Sequence, residues 1–306
     1  MRSGLISIGT NSTRALVAEY GGEKPRVLLH RWSGTRVGQG LKEHGSLDAD
    51  AAARTLQAVG EYAEAVRRLT DDVQAIATSA LRRASDRDDF AQRIETLIHT
   101  PLKIISGDEE ARCAYEGAIA IVAHDAPDAI FAVADIGGGS TEIASGTRAG
   151  VREFVSCEIG AVRLTDAVPT LSGKTVRPCA EDLERARDLA AQALRPARLA
   201  RGSDRLIIVG GSATTIVSVL RQSGEDFETA AIDRGQLTAL IDRLAGMELE
   251  DRKTLAGMVP QRADIILAGA ILIESLFRVA GKDDAEVSTS DLLLGYLLRH
   301  RGKGVA

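Results

Sequence analysis

The sequence is poor in the features that mark membrane, disulfide-rich and nucleic-acid-binding proteins. Across its 306 residues no apolar run approaches the roughly 20 residues that span a bilayer. Its three cysteines, Cys113, Cys157 and Cys179, are odd in number and widely spaced, which fits neither a disulfide framework nor a zinc site. Aromatic residues make up 3% and the net charge is -5, so neither a base-stacking surface nor a basic nucleic-acid surface is expected.

What remains is the composition of a globular protein, with 44% hydrophobic and 26% charged residues and a length that suggests about two domains. The N-terminal residues Met1–Gly4 lead into a strand-like stretch and lack the apolar core and cleavage site of a signal peptide. We therefore expect a cytoplasmic protein without nucleic-acid or membrane partners. A monomer and a homodimer both remain open.

A short pattern occurs twice, as LISIGTNST at Leu5–Thr13 and as VADIGGGST at Val133–Thr141. In each case an apolar strand, a turn of glycine and small polar residues, and a second strand-like run predict a β-hairpin. Glycine lets the backbone approach a phosphate closely, and successive N–H groups form an anion-binding nest. The repeat therefore predicts two related domains that hold phosphates from both sides.

Elsewhere, helical and strand patterns alternate, which predicts an α/β protein. Helices are expected at 47–69, 88–97, 106–123, 181–194, 233–244, 262–277 and 291–299, and strands at 73–78, 102–105 and 206–209. The halves are not separated by a low-complexity linker. We place the boundary near residue 118, which gives domains 1–118 and 119–306, and the closing helix could pack back on the first domain.

Six segments run in the order found in one enzyme family. They are Ile8–Ser12, Ala77–Arg82, Ile105–Ala111, Asp135–Glu142, Gly160–Thr165 and Gly210–Thr215. With them the chain resembles the exopolyphosphatase / guanosine pentaphosphate phosphohydrolase family in its short two-domain form. The resemblance implies the actin-like ATPase superfold, in which two ribonuclease H-like domains flank a cleft, as in actin, heat-shock chaperones and sugar kinases.

The same resemblance implies Mg²⁺-dependent hydrolysis of a terminal phosphoanhydride. Inorganic polyphosphate and guanosine pentaphosphate (pppGpp) are the substrates of the family. The leading hypothesis is an exopolyphosphatase that releases orthophosphate from polyphosphate. A pppGpp 5'-phosphohydrolase and a weakly active sensor that binds polyphosphate or an alarmone are the alternatives.

Three acidic residues are the candidate catalytic groups. Glu110 matches the proposed general base of the family, whereas Glu109 fits a capping box in which its side chain returns to the Ser106 N–H. Asp135 and Glu142 resemble the family's metal-binding and water-positioning acids, and Mg²⁺ takes a few carboxylates together with phosphate oxygens and water. A turn-capping aspartate and an exposed strand glutamate are the structural alternatives for these two residues.

The candidate substrate-binding residues have small, polar or guanidinium side chains. They are Gly9, Thr10, Asn11 and Ser12; Gly137, Gly138, Gly139, Ser140 and Thr141; Ser79 and Arg82; and Gly210, Gly211 and Ser212. Arg82 matches a family arginine that faces the cleft, and Arg36 and Arg163 are weaker candidates. The loop Gly210–Ser212 could hold guanosine or more of a phosphate chain, or could be a helix start that needs small residues.

Two departures from the family pattern affect the expected activity. Ser7 stands where the family has an aspartate, and within the repeat it aligns with Asp135. Leu293 and Leu294 stand where the family has an arginine and a glutamate before the closing glycine. Because serine is not ionised at neutral pH, Ser7 removes one acidic contribution to metal or water binding.

Overall fold

Two mixed β-sheets form the framework of the computed structural model, which describes residues 1–21, 24–41, 45–122, 126 and 128–300. The first sheet has the order β3-β2-β1-β4-β5 and the second has the order β10-β11-β9-β6-β7-β8. The first contains β1 (Arg2–Ile8), β2 (Thr13–Glu19), β3 (Arg26–Ser33), β4 (Val73–Ala77) and β5 (Leu102–Ile104). The second contains β6 (Phe131–Ile136), β7 (Thr141–Thr147), β8 (Gly150–Cys157), β9 (Arg205–Val209), β10 (Thr229–Asp233) and β11 (Asp284–Ser288).

The two sheets repeat one topology. In the first, β1 pairs antiparallel with β2 and parallel with β4, and β2 also pairs antiparallel with β3. In the second, β6 pairs antiparallel with β7 and parallel with β9, and β7 also pairs antiparallel with β8. The order β3-β2-β1-β4-β5 thus corresponds to β8-β7-β6-β9-β11, and β10 is added at the edge.

Helices cover the sheets and connect their parallel strands. They are α1 (Ala49–Arg67), α2 (Ser79–Arg83), α3 (Arg87–Ile98), α4 (Gly107–Val122), α5 (Ala161–Ala167), α6 (Ala180–Ala193), α7 (Gly211–Leu220), α8 (Arg234–Ala245), α9 (Leu249–Lys253), α10 (Ile266–Ala280) and α11 (Leu292–Arg299). Aspartates begin several of them: Asp48 accepts from the Ala51 N–H, and Asp291 accepts from the Leu293 N–H.

Most of the expected elements are present within one or two residues of their predicted ends. The helix expected at 262–277 begins later, at Ile266, because Pro260–Arg262 form a 3₁₀ turn. The predicted end of the helix 106–123 lies at Ala123, outside the described residues. Strands β3, β8, β10 and β11 were not predicted. The first three are partly exposed strands at the sheet edges, and β11 lies between β10 and β9.

Each of two helices follows a strand of one sheet in the chain but packs against the other sheet. Helix α4 follows β5 of the first sheet but buries Tyr115 and Ala118 against Phe131 and Val133 of the second sheet. Helix α11 follows β11 of the second sheet but packs against the first, where its apolar side chains join Leu5 and Leu16. The predicted boundary after residue 118 falls inside α4 and stays a prediction.

A pair of glycines lets these two helices cross at close range. A Cβ atom on Gly295 would lie 1.7 Å from the Cys113 carbonyl oxygen, and one on Gly117 would lie 2.1 Å from the Asp291 carbonyl oxygen. Side chains at either position would therefore force the helices apart.

Among the described residues, no helix is both long and apolar enough to cross a bilayer.

Candidate active site

A cleft lies where the turns of the two hairpins meet the ends of β4 and β9. It is lined by most of the predicted site residues; Arg82 and Thr141 are outside the lining. The lining residues are Ser7, Gly9, Thr10, Asn11, Ser12, Arg14, Thr78, Ser79, Glu110, Asp135, Ile136, Gly137, Gly138, Gly139, Ser140, Glu142, Gly210, Gly211, Ser212, Arg262, Ile265 and Leu292.

The two hairpin turns have the same backbone geometry. The Gly9 N–H donates to the Ser12 carbonyl at 2.9 Å, and the Gly137 N–H donates to the Ser140 carbonyl at 3.0 Å. A Cβ atom at either glycine would lie 3.1–3.2 Å from that same carbonyl oxygen, which is a crowded contact. The tight turn that the repeat predicted is therefore present in both hairpins, and glycine is the residue that fits it.

The two turns also approach each other closely. A Cβ atom on Gly139 would lie 2.6 Å from the Thr10 hydroxyl oxygen and 2.8 Å from the Ser79 hydroxyl oxygen. On the far side of the second turn, the Gly138 carbonyl accepts from the Val162 N–H at the start of α5. The start of α5 therefore holds the second turn in place by a hydrogen bond, and Gly139 of this turn lies against polar side chains of the first half.

Several polar atoms in this cleft have no hydrogen-bond partner within the described part of the chain. They are the Thr10 hydroxyl, both side-chain atoms of Asn11 and the Ser79 hydroxyl, all of them buried. Buried polar groups in proteins are nearly always hydrogen-bonded, so a group of such atoms in one cleft indicates a ligand that supplies the partners. Hydroxyl and amide donors suit the oxygens of a phosphate.

Glu110 enters the cleft from the first turn of α4 and is buried. Burial raises the pKa of its carboxyl group to about 7, repulsion from Asp135 adds to the rise, and the nearby Arg82 guanidinium opposes it. Arg82 donates to the Glu110 carboxylate and also to the Ile105 carbonyl at 2.9 Å. A general base works best with a pKa near the operating pH, and Glu110 meets that condition.

Asp135 and Glu142 are register partners on β6 and β7, immediately before and after the second turn. Burial raises the pKa of Asp135 to about 7, with repulsion from Asp291 adding to the rise and Arg14 opposing it. Burial and repulsion from Glu110 raise the pKa of Glu142 to about 8, although the Ser156 hydroxyl donates to it at 2.7 Å. Neither acid is an exposed strand residue or a simple cap.

These two acids suit Mg²⁺ by the chemistry of their donor atoms. Carboxylate oxygens are hard ligands, and Mg²⁺ is usually held by one or two carboxylates while water and substrate phosphate complete its octahedron. No group of three His, Cys, Asp or Glu side chains converges into a metal cage within the described ranges. A site that relies on Asp135, Glu142 and phosphate oxygens agrees with that arrangement.

Other predicted residues have different surroundings from those expected. The Glu109 carboxylate accepts from Lys103 at 2.6 Å, so the prediction that it returns to the Ser106 N–H was wrong, although the Ser106 hydroxyl does accept from the Glu109 N–H. Thr141 is fully buried and donates to the Ile159 carbonyl at 2.6 Å. Its hydroxyl group therefore has an internal partner.

The weaker arginine candidates are both paired with acids outside the cleft lining. Arg36 forms a bidentate ion pair with Asp264, in which its two terminal nitrogens donate to the two carboxylate oxygens at 2.6 and 2.7 Å. Arg163 pairs with Glu158 at 2.6 Å. The side chain of each arginine therefore has a structural partner. Their backbone N–H groups contact the turns, since Arg36 donates to the Asn11 carbonyl at 3.0 Å and Arg163 donates to the Gly138 carbonyl at 3.1 Å.

Sequence reasoning missed two arginines in the cleft, Arg14 and Arg262, and the aspartate Asp291 that pairs with Arg14. For Arg14 a signal existed, because the repeat aligns it with Glu142. For Arg262 no local signal exists, since its surroundings include the ring of Trp32 on β3, far away in the sequence.

The loop Gly210–Ser212 lines the cleft, and its glycines are also required by packing. Gly210 has φ 100°, and a Cβ atom there would lie 2.7 Å from Oδ1 of Asp135. A Cβ atom on Gly211 would lie 1.8 Å from Nη1 of Arg262. The structural interpretation is therefore confirmed, because α7 begins here where only small residues fit. Binding of guanosine or of more phosphate by this loop stays a prediction, although the loop borders the cleft.

Comparison with known proteins agrees with this geometry. Over 98% of the chain the sequence is 35% identical to exopolyphosphatase 2 of Mycobacterium tuberculosis, 99% of which is covered. The crystal structure of the Aquifex aeolicus member of the Ppx/GppA family superposes with a TM-score of 0.81 at 27% identity, covering 100% of this chain and 99% of that chain. An exopolyphosphatase structure from Cytophaga hutchinsonii superposes with a TM-score of 0.89 at 25% identity, with the same coverage.

These matches confirm the predicted fold class, the actin-like α/β fold, and the family expected from the sequence motifs. The sequence profile described as the Ppx/GppA phosphatase family matches residues 16–300. The chain belongs to the Ppx/GppA phosphatase family.

Proposed function

We propose that the protein is an exopolyphosphatase, which hydrolyses the terminal phosphoanhydride of inorganic polyphosphate and releases orthophosphate. The observation that carries the proposal is the convergence of unpartnered donors on two glycine turns with three buried acids, Glu110, Asp135 and Glu142. The names of the relatives from M. tuberculosis and C. hutchinsonii support the same substrate.

Glu110 acts as the general base in this proposal. Its carboxylate accepts a proton from a water molecule whose oxygen attacks the terminal phosphorus atom. The anhydride P–O bond then breaks, orthophosphate leaves, and the shortened chain keeps the bridging oxygen as a terminal one. A pKa of about 7 keeps a large share of Glu110 ionised at neutral pH while preserving the basicity that proton transfer needs.

The donors of the cleft bind and orient the phosphates. Thr10, Asn11 and Ser79 supply side-chain donors, and the backbone of the turn Gly137–Ser140 lines the same cleft. Positioning and charge stabilisation account for most of the catalysis of phosphoryl transfer. When Mg²⁺ is bound, Asp135 and Glu142 would hold it, and it would neutralise charge on the phosphate oxygens.

The proposal extends to the cell compartment and the domain division. Cys113, Cys157 and Cys179 are free thiols, the state that a reducing cytoplasm maintains. The repeated sheet topology supports two domains, and the division near residue 118 remains part of the proposal.

Orthophosphate release from long-chain polyphosphate and from pppGpp, measured side by side with and without Mg²⁺, tests the proposed function. We expect faster turnover per enzyme on polyphosphate and a requirement for Mg²⁺. The Glu110→Gln protein serves as the control for contaminating phosphatases. A higher kcat/KM for pppGpp would make the guanosine nucleotide the substrate, and no release from either would leave a binding protein.

A further inference from the structure

The backbone of residues 36–38 is hydrogen-bonded to the first turn. The Arg36 N–H donates to the Asn11 carbonyl at 3.0 Å, and the Gly38 N–H donates to the Thr10 carbonyl at 2.9 Å. A Cβ atom on Gly38 would lie 2.4 Å from the Thr10 methyl carbon. Arg36 itself has φ 57°, in the left-handed region that residues other than glycine seldom adopt. The first turn and residues 36–38 are therefore packed as one unit.

The side chain of Arg36 joins this unit to the second half of the chain. Both carboxylate oxygens of Asp264, 228 residues further on, accept from its guanidinium at 2.6 and 2.7 Å. The Gln261 carbonyl accepts from the same guanidinium at 2.8 Å. The Asp264 side chain is 6% exposed and lies 3.2 Å from Lys174, and the next residue, Ile265, lines the cleft.

This ion pair is charged at neutral pH. Burial acts to raise the pKa of Asp264, but the hydrogen bond from Arg36 and the charges of Arg36 and Lys174 lower it below its ordinary value. The same hydrogen bond raises the pKa of Arg36. Two parallel charge-assisted hydrogen bonds have a fixed geometry, so the pair orients the two elements that it joins.

The two turns of the cleft touch, but the donors of the first turn do not hold them together. A Cβ atom on Gly138 would lie 3.1 Å from the Asn11 Cβ atom, and one on Gly139 would lie 2.6 Å from the Thr10 hydroxyl oxygen. The Thr10 hydroxyl and the Asn11 amide nevertheless lack a hydrogen-bond partner among the described residues. The Arg36 side chain thus links the first turn to the second half and leaves these donors for a ligand.

We propose that Arg36 is a positioning residue, whose ion pair with Asp264 holds the first turn where Thr10 and Asn11 can bind the same substrate as the second turn. Arg36 acts through the turn and does not touch the phosphates. Without the pair, a smaller fraction of the free protein has both turns in place, and the affinity falls by that fraction. This role rests on the proposed function for the identity of the substrate.

The test is a double-mutant cycle with Arg36→Asn, Asp264→Asn and the double variant. Asparagine tolerates a left-handed backbone, so the change at position 36 removes the ion pair and keeps the local conformation. Should Arg36→Asn fail to fold, Asp264→Asn breaks the same pair from the other side.

Arg187→Gln is the matched control. Arg187 pairs with Glu274 at 2.8 Å, both residues belong to the second half, and their side chains are 28% and 10% exposed. The corresponding values for Arg36 and Asp264 are 28% and 6%. The control therefore loses an ion pair of similar exposure that does not join the two halves.

Binding of inorganic tripolyphosphate is measured by calorimetry with Mg²⁺ present, in proteins that also carry Glu110→Gln so that the ligand is not consumed. Hydrolysis of long-chain polyphosphate is measured with Glu110 intact. Each single variant should raise Kd and KM by about 10- to 100-fold, the value of a charged hydrogen-bonded partner. Its kcat should stay within about threefold, because the bound substrate itself brings the turns together. The double variant should lose no more than either single variant, and Arg187→Gln should bind normally.

Amide hydrogen exchange supplies a measurement that does not depend on catalysis. In Asp264→Asn the N–H groups of Arg36 and Gly38 should exchange faster than in the wild type, because the segment that carries them is no longer held. Bound tripolyphosphate should slow this exchange again. The same segment in Arg187→Gln should exchange as in the wild type.

Wild-type Kd and KM in both single variants, with or without a lower melting temperature, would overturn the positioning role, and so would losses that add in the double variant. If tripolyphosphate binding depends on the pair but the wild type releases no phosphate from polyphosphate, the proposed function fails and the positioning role stands. If polyphosphate is hydrolysed with the same KM in all variants, the positioning role alone fails. Neither binding nor hydrolysis in proteins with the intact pair would contradict both.

Discussion

The first and second hairpins share a backbone but present different charges to the cleft. At the register pair beside the turn, β1–β2 places Ser7 opposite Arg14, whereas β6–β7 places Asp135 opposite Glu142. The turns themselves close with the same Gly-to-Ser hydrogen bond. The two copies of the hairpin therefore share the backbone geometry of the turn, whereas the acids at this register pair lie only in the second copy.

The first hairpin contributes a cation where the second contributes an acid. Arg14 lowers the pKa of Asp135 against the rise caused by burial, and Asp291 holds Arg14 by an ion pair. Ser7, expected from the sequence to be a missing acid, is buried and lies opposite this arginine. An additional carboxylate there would lie opposite Arg14 and would add negative charge to a cleft that already holds three buried acids.

The largest expected effect is the loss of the general base. Glu110→Gln keeps the shape of the side chain but cannot accept the proton, so kcat on polyphosphate should fall by about 10²–10⁴-fold. The neighbouring Glu109→Gln, which loses the partly exposed contacts of its carboxylate with Lys103 and His300, is the matched control and should retain near wild-type kcat. Steady-state kinetics and circular dichroism on both proteins check the prediction. Equal kcat values for the two variants would remove Glu110 from the catalytic role.

The sequence was sufficient for the parts of the site that depend on local backbone. Gly9 and Gly137 lie in tight turns that suit glycine, and the apolar runs on either side of each turn predict the two strands of a hairpin. The start of α11 was also predictable, because Asp291 is a helix cap before an apolar stretch. Strands β3 and β8 were missed because half-exposed edge strands mix polar and apolar residues without a clean alternation.

The parts that depend on tertiary packing were not predictable. Arg262 lines the cleft with its guanidinium against the ring of Trp32, which is far away in the sequence. The side chain of Glu109 was assigned to Ser106 by a local motif, yet Lys103 on β5 supplies the stronger, charged partner. In both cases a contact between separate elements outweighed the local pattern.

A smaller effect concerns the pH dependence of stability. We expect it from the second hairpin, β6–β7, which carries Asp135 and Glu142. Burial raises the pKa of Glu142 from 4.5 to about 8, so the folded protein holds this proton more tightly than the unfolded chain. Below about pH 4.5 both states are protonated. Between that pH and about 8 the unfolded chain has released the proton, so stability falls as pH rises.

Glu142→Gln removes this titration, and it should raise the melting temperature relative to wild type at pH 8 while changing it little at pH 5. The exposed β8 residue Glu153 provides the control variant Glu153→Gln, which should follow the wild-type curve. Scanning calorimetry from pH 5 to 8 measures both. A Glu142→Gln protein that is destabilised equally at every pH would show that the carboxylate is stabilised by its surroundings rather than strained by them.

The central claim, that catalysis depends on the acids of the second hairpin and not on the aligned position of the first, is tested most directly by truncating the aligned pair. Ser7→Ala and Asp135→Ala remove side chains from equivalent places, and kcat on polyphosphate is measured for both over a Mg²⁺ titration. The account predicts a loss of at least about 100-fold for Asp135→Ala, since metal-ion catalysis supplies several kcal/mol. For Ser7→Ala it predicts less than about tenfold, the value of one neutral hydrogen bond. Equal losses in the two variants, or a wild-type Mg²⁺ profile in Asp135→Ala, would contradict it.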